Sequence, residues 1–294
     1  MTVELVVVGG GRMGEALAAG LLHSGWCRPD ALVVVERDAS RRDELAAGLA
    51  SRHRGVVVSD EIPADAGAST GAVLAVKPGD AASACARLRA SGVARVLSIA
   101  AGVPIPKLEA WLHTGSTPDG APPGDPSPDA DTATGSRAVA VLRAMPNTPA
   151  LVGAGASAVA PGSAAGPDDV DWATSILAAV GTVVTVPETL LDAVTGLSGS
   201  GPAYVFLLAE AMTEAGVLVG LPRATAATLV VQTLLGSARL LAETGDSPES
   251  LRAGVTSPGG TTAAGLRALE AAGWRSAVLD AVSAATERAR QLGA

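Results

Sequence analysis

VELVVVGGGRMGEALAAGLL, residues 3–22, decides how the first half of this chain is built. Val3 to Val8 is a short, nearly continuous β-branched run, the mark of a strand buried on both faces of a sheet. It stops at Gly9-Gly10-Gly11-Arg12-Met13-Gly14, and Glu15 to Leu22 then follows a helical pattern. Strand, G-x-G-x-x-G and helix in that order make a dinucleotide-binding turn. Gly9 allows the tight turn, Gly11 lets a pyrophosphate approach the backbone, and Gly14 lets the helix pack close to its strand. The helix N-terminus adds N–H donors and the positive end of its dipole.

Working outward, Leu32 to Val35 predicts a second strand ending at Glu36, where an acid would hold an adenosine ribose hydroxyl. Arg37, Arg41 and Arg42 follow at once and suit a 2′-phosphate instead, so the two signals conflict. Further strands are predicted at Val56 to Val58, at Ala72 to Val76 before Lys77-Pro78-Gly79-Asp80, and at Arg95 to Ile99 before Ala100-Ala101-Gly102-Val103. Each ends in small residues and then a helical segment, which predicts a parallel, doubly wound sheet with its ligand at the carboxyl ends. Lys77, with Lys107 one of only two lysines, stands at such an end and favours a cofactor contact. Residues 115–136, GSTPDGAPPGDPSPDADTATGS, have no apolar face and predict a mobile surface insertion. Structure resumes with a strand at Ala138 to Leu142 and the rigid turn Met145-Pro146-Asn147-Thr148-Pro149. Strands at Ala156 to Ala160 and Thr182 to Val186, with a helix at Asp168 to Val180 between them, close the sheet.

From Glu188 onward the pattern is all helical. DAVTGLSGSGPAYVFLLAEAMTEAGVLVG, residues 192–220, opens on a small-residue turn in which Ser200 predicts an N-cap and Pro202 sits where a helix tolerates a missing N–H. The helix after it is apolar almost all round, so it must be buried by its own domain or by a second subunit. Helices follow at Pro222 to Thr244, Ser247 to Ala253, Thr262 to Ala272 and Trp274 to Leu292. Between them, Thr256-Ser257-Pro258-Gly259-Gly260-Thr261-Thr262 offers successive N–H groups and two hydroxyls at a helix start, a ready anion site. The fold class expected is α/β, a Rossmann-like, mostly parallel sheet over residues 1–187 followed by an all-α domain over residues 188–294.

Composition bounds the chemistry. Hydrophobic residues make up 48% of the chain but aromatic ones only 2%, so Ala, Val and Leu build the core. A formal charge of −8 argues against nucleic acid or an anionic membrane as a partner. Cys27 and Cys85 are too few and too far apart for a disulfide framework or a metal site. The start lacks a basic n-region, and no uncharged apolar run reaches membrane-spanning length, so a cytoplasmic protein is expected.

After His113 the chain has no Lys, His or Cys. A ketone reductase must protonate a developing alkoxide and usually recruits Lys, His or Tyr for it. An imine nitrogen can arrive already protonated, so it needs positioning and a carboxylate clamp more than a side-chain acid. The residues present suit imine reduction.

VVVGGGRMGEAL, LAVKPGD, IAAGV, RAMPNTPALVGAG, DAVTGLSGSGPAYVFLLAEAM and VTSPGGTT together resemble the pyrroline-5-carboxylate reductase family. The likeness runs from about Val3 to the last helix, broken by the insertion, and its MPNTP, SGSGPAY and SPGGTT turns are far more specific than the glycine fingerprint. It implies hydride transfer from NADPH, or NADH, to the C=N bond of 1-pyrroline-5-carboxylate to give L-proline. By the same likeness Val8, Gly9, Gly10, Gly11, Arg12 and Met13 lie along the pyrophosphate, and Glu36 and Arg37 near the adenosine ribose. Val76, Lys77 and Ala101 line the ribose and nicotinamide, with Asn147 close by. The substrate carboxylate sits on the N–H groups of Gly260 and Thr261 with help from Ser257, Thr262 bonds the ring nitrogen, and Glu188 lies near the pyrroline site. The family often has Asn where Gly254 stands, so no cofactor contact is assigned there. A homodimer interlocked through the helical domain is implied, with larger rings, a decamer among them. Two rivals remain at this point: a β-hydroxyacid dehydrogenase, whose helical-domain lysine this chain lacks, and a non-catalytic nucleotide sensor, in which the SPGGTT turn would be degraded.

Overall fold

A computed structural model of the chain describes residues 3–64, 66–113 and 138–293; the insertion expected at 115–136 lies outside them. The chain divides into two compact units, residues 1–199 with 286–294 and residues 200–285.

The first unit is the doubly wound sheet. Its strands are β1 (Leu5–Val8), β2 (Leu32–Val35), β3 (Val57–Ser59), β4 (Gly71–Leu74), β5 (Arg95–Ser98), β6 (Ala140–Met145), β7 (Gly155–Pro161) and β8 (Gly181–Thr185), in the order β3-β2-β1-β4-β5-β6-β7-β8. The first six are mutually parallel. Val8 is in register with Val35 and Leu74, and Leu74 with Ser98. The turns that leave β1, β2, β4 and β5 therefore emerge along one edge, the place where such sheets hold their ligands. β7 runs antiparallel to β6, pairing Arg143 with Ala160, and β8 is parallel to β7.

Alternation of side chains across β1 feeds two cores. Val6 and Val8 meet Ala81, Cys85 and Leu88 of α3 (Ala81–Ser91) and Leu108 and Leu112 of α4 (Ile105–His113). Leu5 and Val7 meet the opposite layer: Leu17 and Leu21 of α1 (Arg12–Ser24), Leu45 of α2 (Ala39–Leu45), and Trp172 and Ile176 of α5 (Pro167–Ala178). Strands buried on both faces explain why β1, β2 and β4 read as unbroken apolar runs. α6 (Leu191–Val194) and a π-helical turn at Thr195–Gly199 end this unit's main run.

The second unit holds α7 (Gly201–Leu218), α8 (Arg223–Thr244), α9 (Pro248–Gly254), α10 (Thr261–Ala271) and the greater part of α11 (Trp274–Gly293). The N-cap expected at Ser200 is not formed. Ser200 has helical backbone angles, φ −83° and ψ −19°, and makes no capping bond, because the π-helical turn before it already carries a helical backbone. α7 and α8 approach closely, since a Cβ on Gly216 would stand 2.9 Å from that of Ala226. Little else in this unit is enclosed: among residues 200–285 the buried apolar side chains are Ala226 and Val230. Phe206, Leu207 and Leu218 of α7 lie open, Leu218 being 87% exposed. α8 has the length and mean hydropathy, 1.3, of a membrane-crossing helix, but its uncharged run from Ala224 ends at Arg239.

Cys27 and Cys85 are both buried free thiols. Burial pushes Cys85 up to about 12, and burial followed by the charge of Glu4 pushes Cys27 up to about 11. Since the thiolate is the reactive form, both should resist iodoacetamide in the native protein at pH 8 and react only as fast as it unfolds. Prompt alkylation of the folded protein, read by mass spectrometry, would contradict this.

Candidate active site

The nucleotide edge is built around the turn after β1. Gly9 has φ +109°, and a Cβ there would stand 2.5 Å from the Ala75 carbonyl oxygen. A Cβ on Gly14 would collide with the Gly9 carbonyl, whereas nothing lies within 4 Å of the corresponding point at Gly11. The turn is thus closed against β4 and α1 and open at Gly11, the N-cap of α1, where a phosphate would meet the helix N-terminus. This is the cradle that a dinucleotide pyrophosphate fits. A cleft of about 270 Å³ opens beside it, lined by Val8, Gly9, Gly11, Glu36, Arg37, Val76 and Lys77 among others.

The acid and the arginines after β2 divide their work. Glu36 accepts from Gly10 N–H through Oε2 at 2.8 Å and from Asp38 N–H through Oε1 at 3.0 Å. Arg41 donates from Nε to the Gly10 carbonyl at 2.8 Å, from Nη1 to Glu44 and from Nη2 to Glu15. Those two carboxylates, Glu44 first, raise its pKa further, so it is a permanent cation. Arg42 donates to the carbonyls of Glu36 and Arg37. Arg41 and Arg42 are therefore absorbed in holding the turns. Arg37 alone of the three lines the cleft, in a 2.6 Å ion pair with Asp80 from beyond β4.

Other residues singled out in the sequence lie elsewhere in this unit. Arg12 is exposed at the start of α1, and Met13 leans on the core beneath. Ala101 lies in the turn after β5, where a Cβ on the adjacent Gly102 would stand 3.2 Å from the Leu292 carbonyl oxygen at the end of α11. Asn147 is nearly buried, and both ends of its amide are used. Nδ2 donates to the Ser198 carbonyl at 3.0 Å, and Oδ1 accepts from Ala156 N–H at 2.8 Å. Glu188 accepts through Oε1 from Ile105 N–H, at the start of α4, and from Arg143 Nη1 at 3.0 Å.

In the second unit, residues 256–262 form the lead-in to α10. Gly259 has φ +70°, which wants glycine, and Gly260 is the N-cap. Gly260 N–H already donates to the Ser257 carbonyl at 3.1 Å, and the helix ladder starts with Ala264 N–H to the Gly260 carbonyl. The groups left pointing off the helix end are the N–H groups of Thr261, Thr262 and Ala263. A Cβ on Gly260 would strike the Ser257 hydroxyl, so that hydroxyl lies directly beside the helix start.

A family model described as pyrroline-5-carboxylate reductase dimerisation matches residues 188–292, and one described as NADP oxidoreductase coenzyme F420-dependent matches residues 4–102. Pyrroline-5-carboxylate reductase from Synechocystis is 43% identical over 295 aligned residues, covering 100% of this chain and 99% of that protein. The chain belongs to the pyrroline-5-carboxylate reductase family. It is accordingly an NAD(P)-dependent oxidoreductase, and its helical part serves oligomerisation. The reductase from Methanosarcina acetivorans is 40% identical, covering 97% of this chain and 96% of its own. The solved structure of the Coxiella burnetii reductase matches with a TM-score of 0.84 at 34% identity over the whole of both chains. The Plasmodium falciparum pyrroline carboxylate reductase, solved with NADP bound, matches with a TM-score of 0.76 at 27% identity, over 99% of this chain and 98% of that one.

Asp80, Ser83 and Arg87 also line the cleft, and Ser83 and Arg87 escaped the sequence reading. Both lie on α3, and only the packing of that helix on the sheet edge reveals which of its polar side chains line the cleft. Arg143 was missed for a like reason, since it sits in the middle of a strand otherwise apolar.

Asn147 ties the turn after β6 to β7 and to the π-helical turn. Asn147→Ala would strip the Ser198 carbonyl and the Ala156 N–H of their side-chain partner in two part-buried hydrogen bonds, at up to about 1–3 kcal/mol for each group left unpaired. Urea denaturation should show a loss of about 2–4 kcal/mol. A loss under half a kcal/mol would mean that water replaces the side chain without cost.

Proposed function

We propose that this chain transfers a hydride from NAD(P)H to the C=N carbon of 1-pyrroline-5-carboxylate, giving L-proline in the last step of proline biosynthesis. The observation that carries this reading is a full-length match at 43% identity to a named pyrroline-5-carboxylate reductase. Two anion-binding backbones in one chain support it, the glycine turn of β1 and the lead-in to α10.

The reduced nicotinamide, when bound, supplies the hydride. Residues 8–13 hold the pyrophosphate on the N-terminus of α1, with Val76, Lys77 and Ala101 toward the nicotinamide and its ribose. Asn147 is proposed to help there by fixing the turn after β6. The substrate carboxylate is assigned to Thr261 N–H and the Ser257 hydroxyl. The Gly260 N–H that the family resemblance adds to them would first have to give up its bond to Ser257. Thr262 is proposed to bond the ring nitrogen, which arrives protonated and leaves as a neutral amine once hydride has been captured. Glu188, its Oε1 held by Ile105 and Arg143, is proposed to lie near the pyrroline. The dinucleotide-binding domain is taken as residues 1–187 and the helical substrate and dimerisation domain as residues 188–294. The subunits are proposed to interlock as a homodimer through α7, with decameric rings as the larger assembly, in the cytoplasm.

Assay of folded, oligomeric protein with 1-pyrroline-5-carboxylate and each cofactor in parallel tests the reaction; no proline with either cofactor would sink it. Thr262→Val should lower turnover by about 10²–10³, the usual loss of one well-placed donor. If the substrate brings its own proton, the limb of the pH–rate profile stays where it was in the variant; a limb that shifts would assign the proton to a protein group. Phe206→Glu, on the open face of α7, should shift sedimentation toward smaller species, and an unmoved oligomer would place the interface elsewhere.

A further inference from the structure

The cleft beside the glycine turn has two walls, and the cations on them differ in how they are engaged. On the β2 side, Arg41 spends its Nε and both terminal nitrogens on Gly10, Glu15 and Glu44, and Arg42 is turned onto two backbone carbonyls. Arg37 faces the cleft but is neutralised by Asp80 at 2.6 Å. On the α3 side stands Arg87. It is half-buried, pairs with no carboxylate among the described residues, and makes one hydrogen bond, from Nη2 to the Asp60 carbonyl at 2.6 Å. That bond ties down one nitrogen of the guanidinium and leaves Nε and Nη1 without a hydrogen bond to the described residues. Ser83, one turn earlier on the same helix face, adds a hydroxyl. Arg37, Ser83 and Arg87 also line an adjoining hollow of about 670 Å³, together with Ile62 and Pro63, which offer a purine an apolar surface, and the acidic Asp60 and Glu61.

Building on the NAD(P)H reading above, we propose that Arg87 is the specificity-determining residue for the adenosine end of the cofactor. With Arg37 opposite and Ser83 beside it, Arg87 binds the 2′-phosphate that distinguishes NADP(H) from NAD(H). The carboxylates of the cleft, Glu36 and Asp80, oppose a phosphate. Glu36 is bound to two backbone N–H groups and Asp80 to Arg37, so Arg87 supplies the positive charge that neither carboxylate offsets by direct pairing. A guanidinium with two free donors suits a phosphate monoester better than a hydroxyl.

The test is equilibrium binding by calorimetry on the intact oligomer, with NADP⁺, NAD⁺, adenosine 2′,5′-bisphosphate and 5′-AMP as probes. Arg87→Gln should weaken NADP⁺ and the bisphosphate by about tenfold to a hundredfold, with less than a threefold change for NAD⁺ and 5′-AMP. Arg87→Lys should recover part of the loss. Because the second ionisation of a phosphate monoester lies near pH 6, wild-type affinity for the bisphosphate should fall below that pH more steeply than the variant's. Equal losses for phosphorylated and unphosphorylated probes would assign Arg87 to the adenine or to folding and overturn the proposal, as would no loss at all. Failure of the wild type to bind NADP⁺ more tightly than NAD⁺ would overturn it too. Each of these results leaves proline formation intact in the parallel assay, whereas failure of the reductase reading removes it.

Discussion

Both backbone polar groups of Gly10 are held by side chains from beyond the neighbouring strand. Glu36 takes its N–H and Arg41 gives to its carbonyl, each at 2.8 Å. A glycine turn left to itself has many conformations, and the entropy lost on fixing it must be offset by something. Here the offset comes from charge-assisted hydrogen bonds between adjacent βα turns. Arg41 in turn bonds Glu15 on α1, so strand end, turn and helix start are locked together. The open N-terminus of α1 and the cleft beside it are bordered by that lock.

The two units solve burial differently. The sheet buries its strands on both faces with two layers of helices, and its core closes within one chain. The helical unit does not: Leu207 and Leu218 of α7 and Leu279 of α11 face outward, while Ala226 and Val230 are its enclosed apolar side chains. Exposed large apolar side chains in this number suit a surface that another chain covers, in keeping with a dimerisation match over residues 188–292. The lead-in to α10 belongs to this unit. Its turn is shaped within the loop itself, by Gly259 at positive φ and by the hydrogen bond from Gly260 N–H to the Ser257 carbonyl.

Much of the nucleotide half could be read from the chain because its signals are local. A β-branched run, three spaced glycines and a helical period lie within twenty residues, and each has one physical meaning. Strand ends were less legible: the strand expected at Ala138 to Leu142 runs from Ala140 to Met145, since pairing with β5 and β7, not composition, sets its limits. Ser200 looked like a cap because its neighbours are small, but a π-helical turn already carries the backbone there. Asn147 looked like a turn residue and is also a cross-link between two segments distant in sequence.

By itself the sequence determined the class of fold, the glycine turn after β1 and the glycine-rich lead-in to α10, and through its motifs the family. These follow from short-range rules of steric freedom, periodicity and backbone donors. Only the tertiary structure decided what the charged residues do. Arg37, Arg41 and Arg42 are neighbours in the chain, yet one faces the cleft while the other two hold turns. Arg87, about fifty residues on, comes to line that same cleft. A long charged side chain has no preferred partner until folding sets which carbonyls and carboxylates lie within a few ångströms, and that is a property of the packed sheet rather than of any stretch of it.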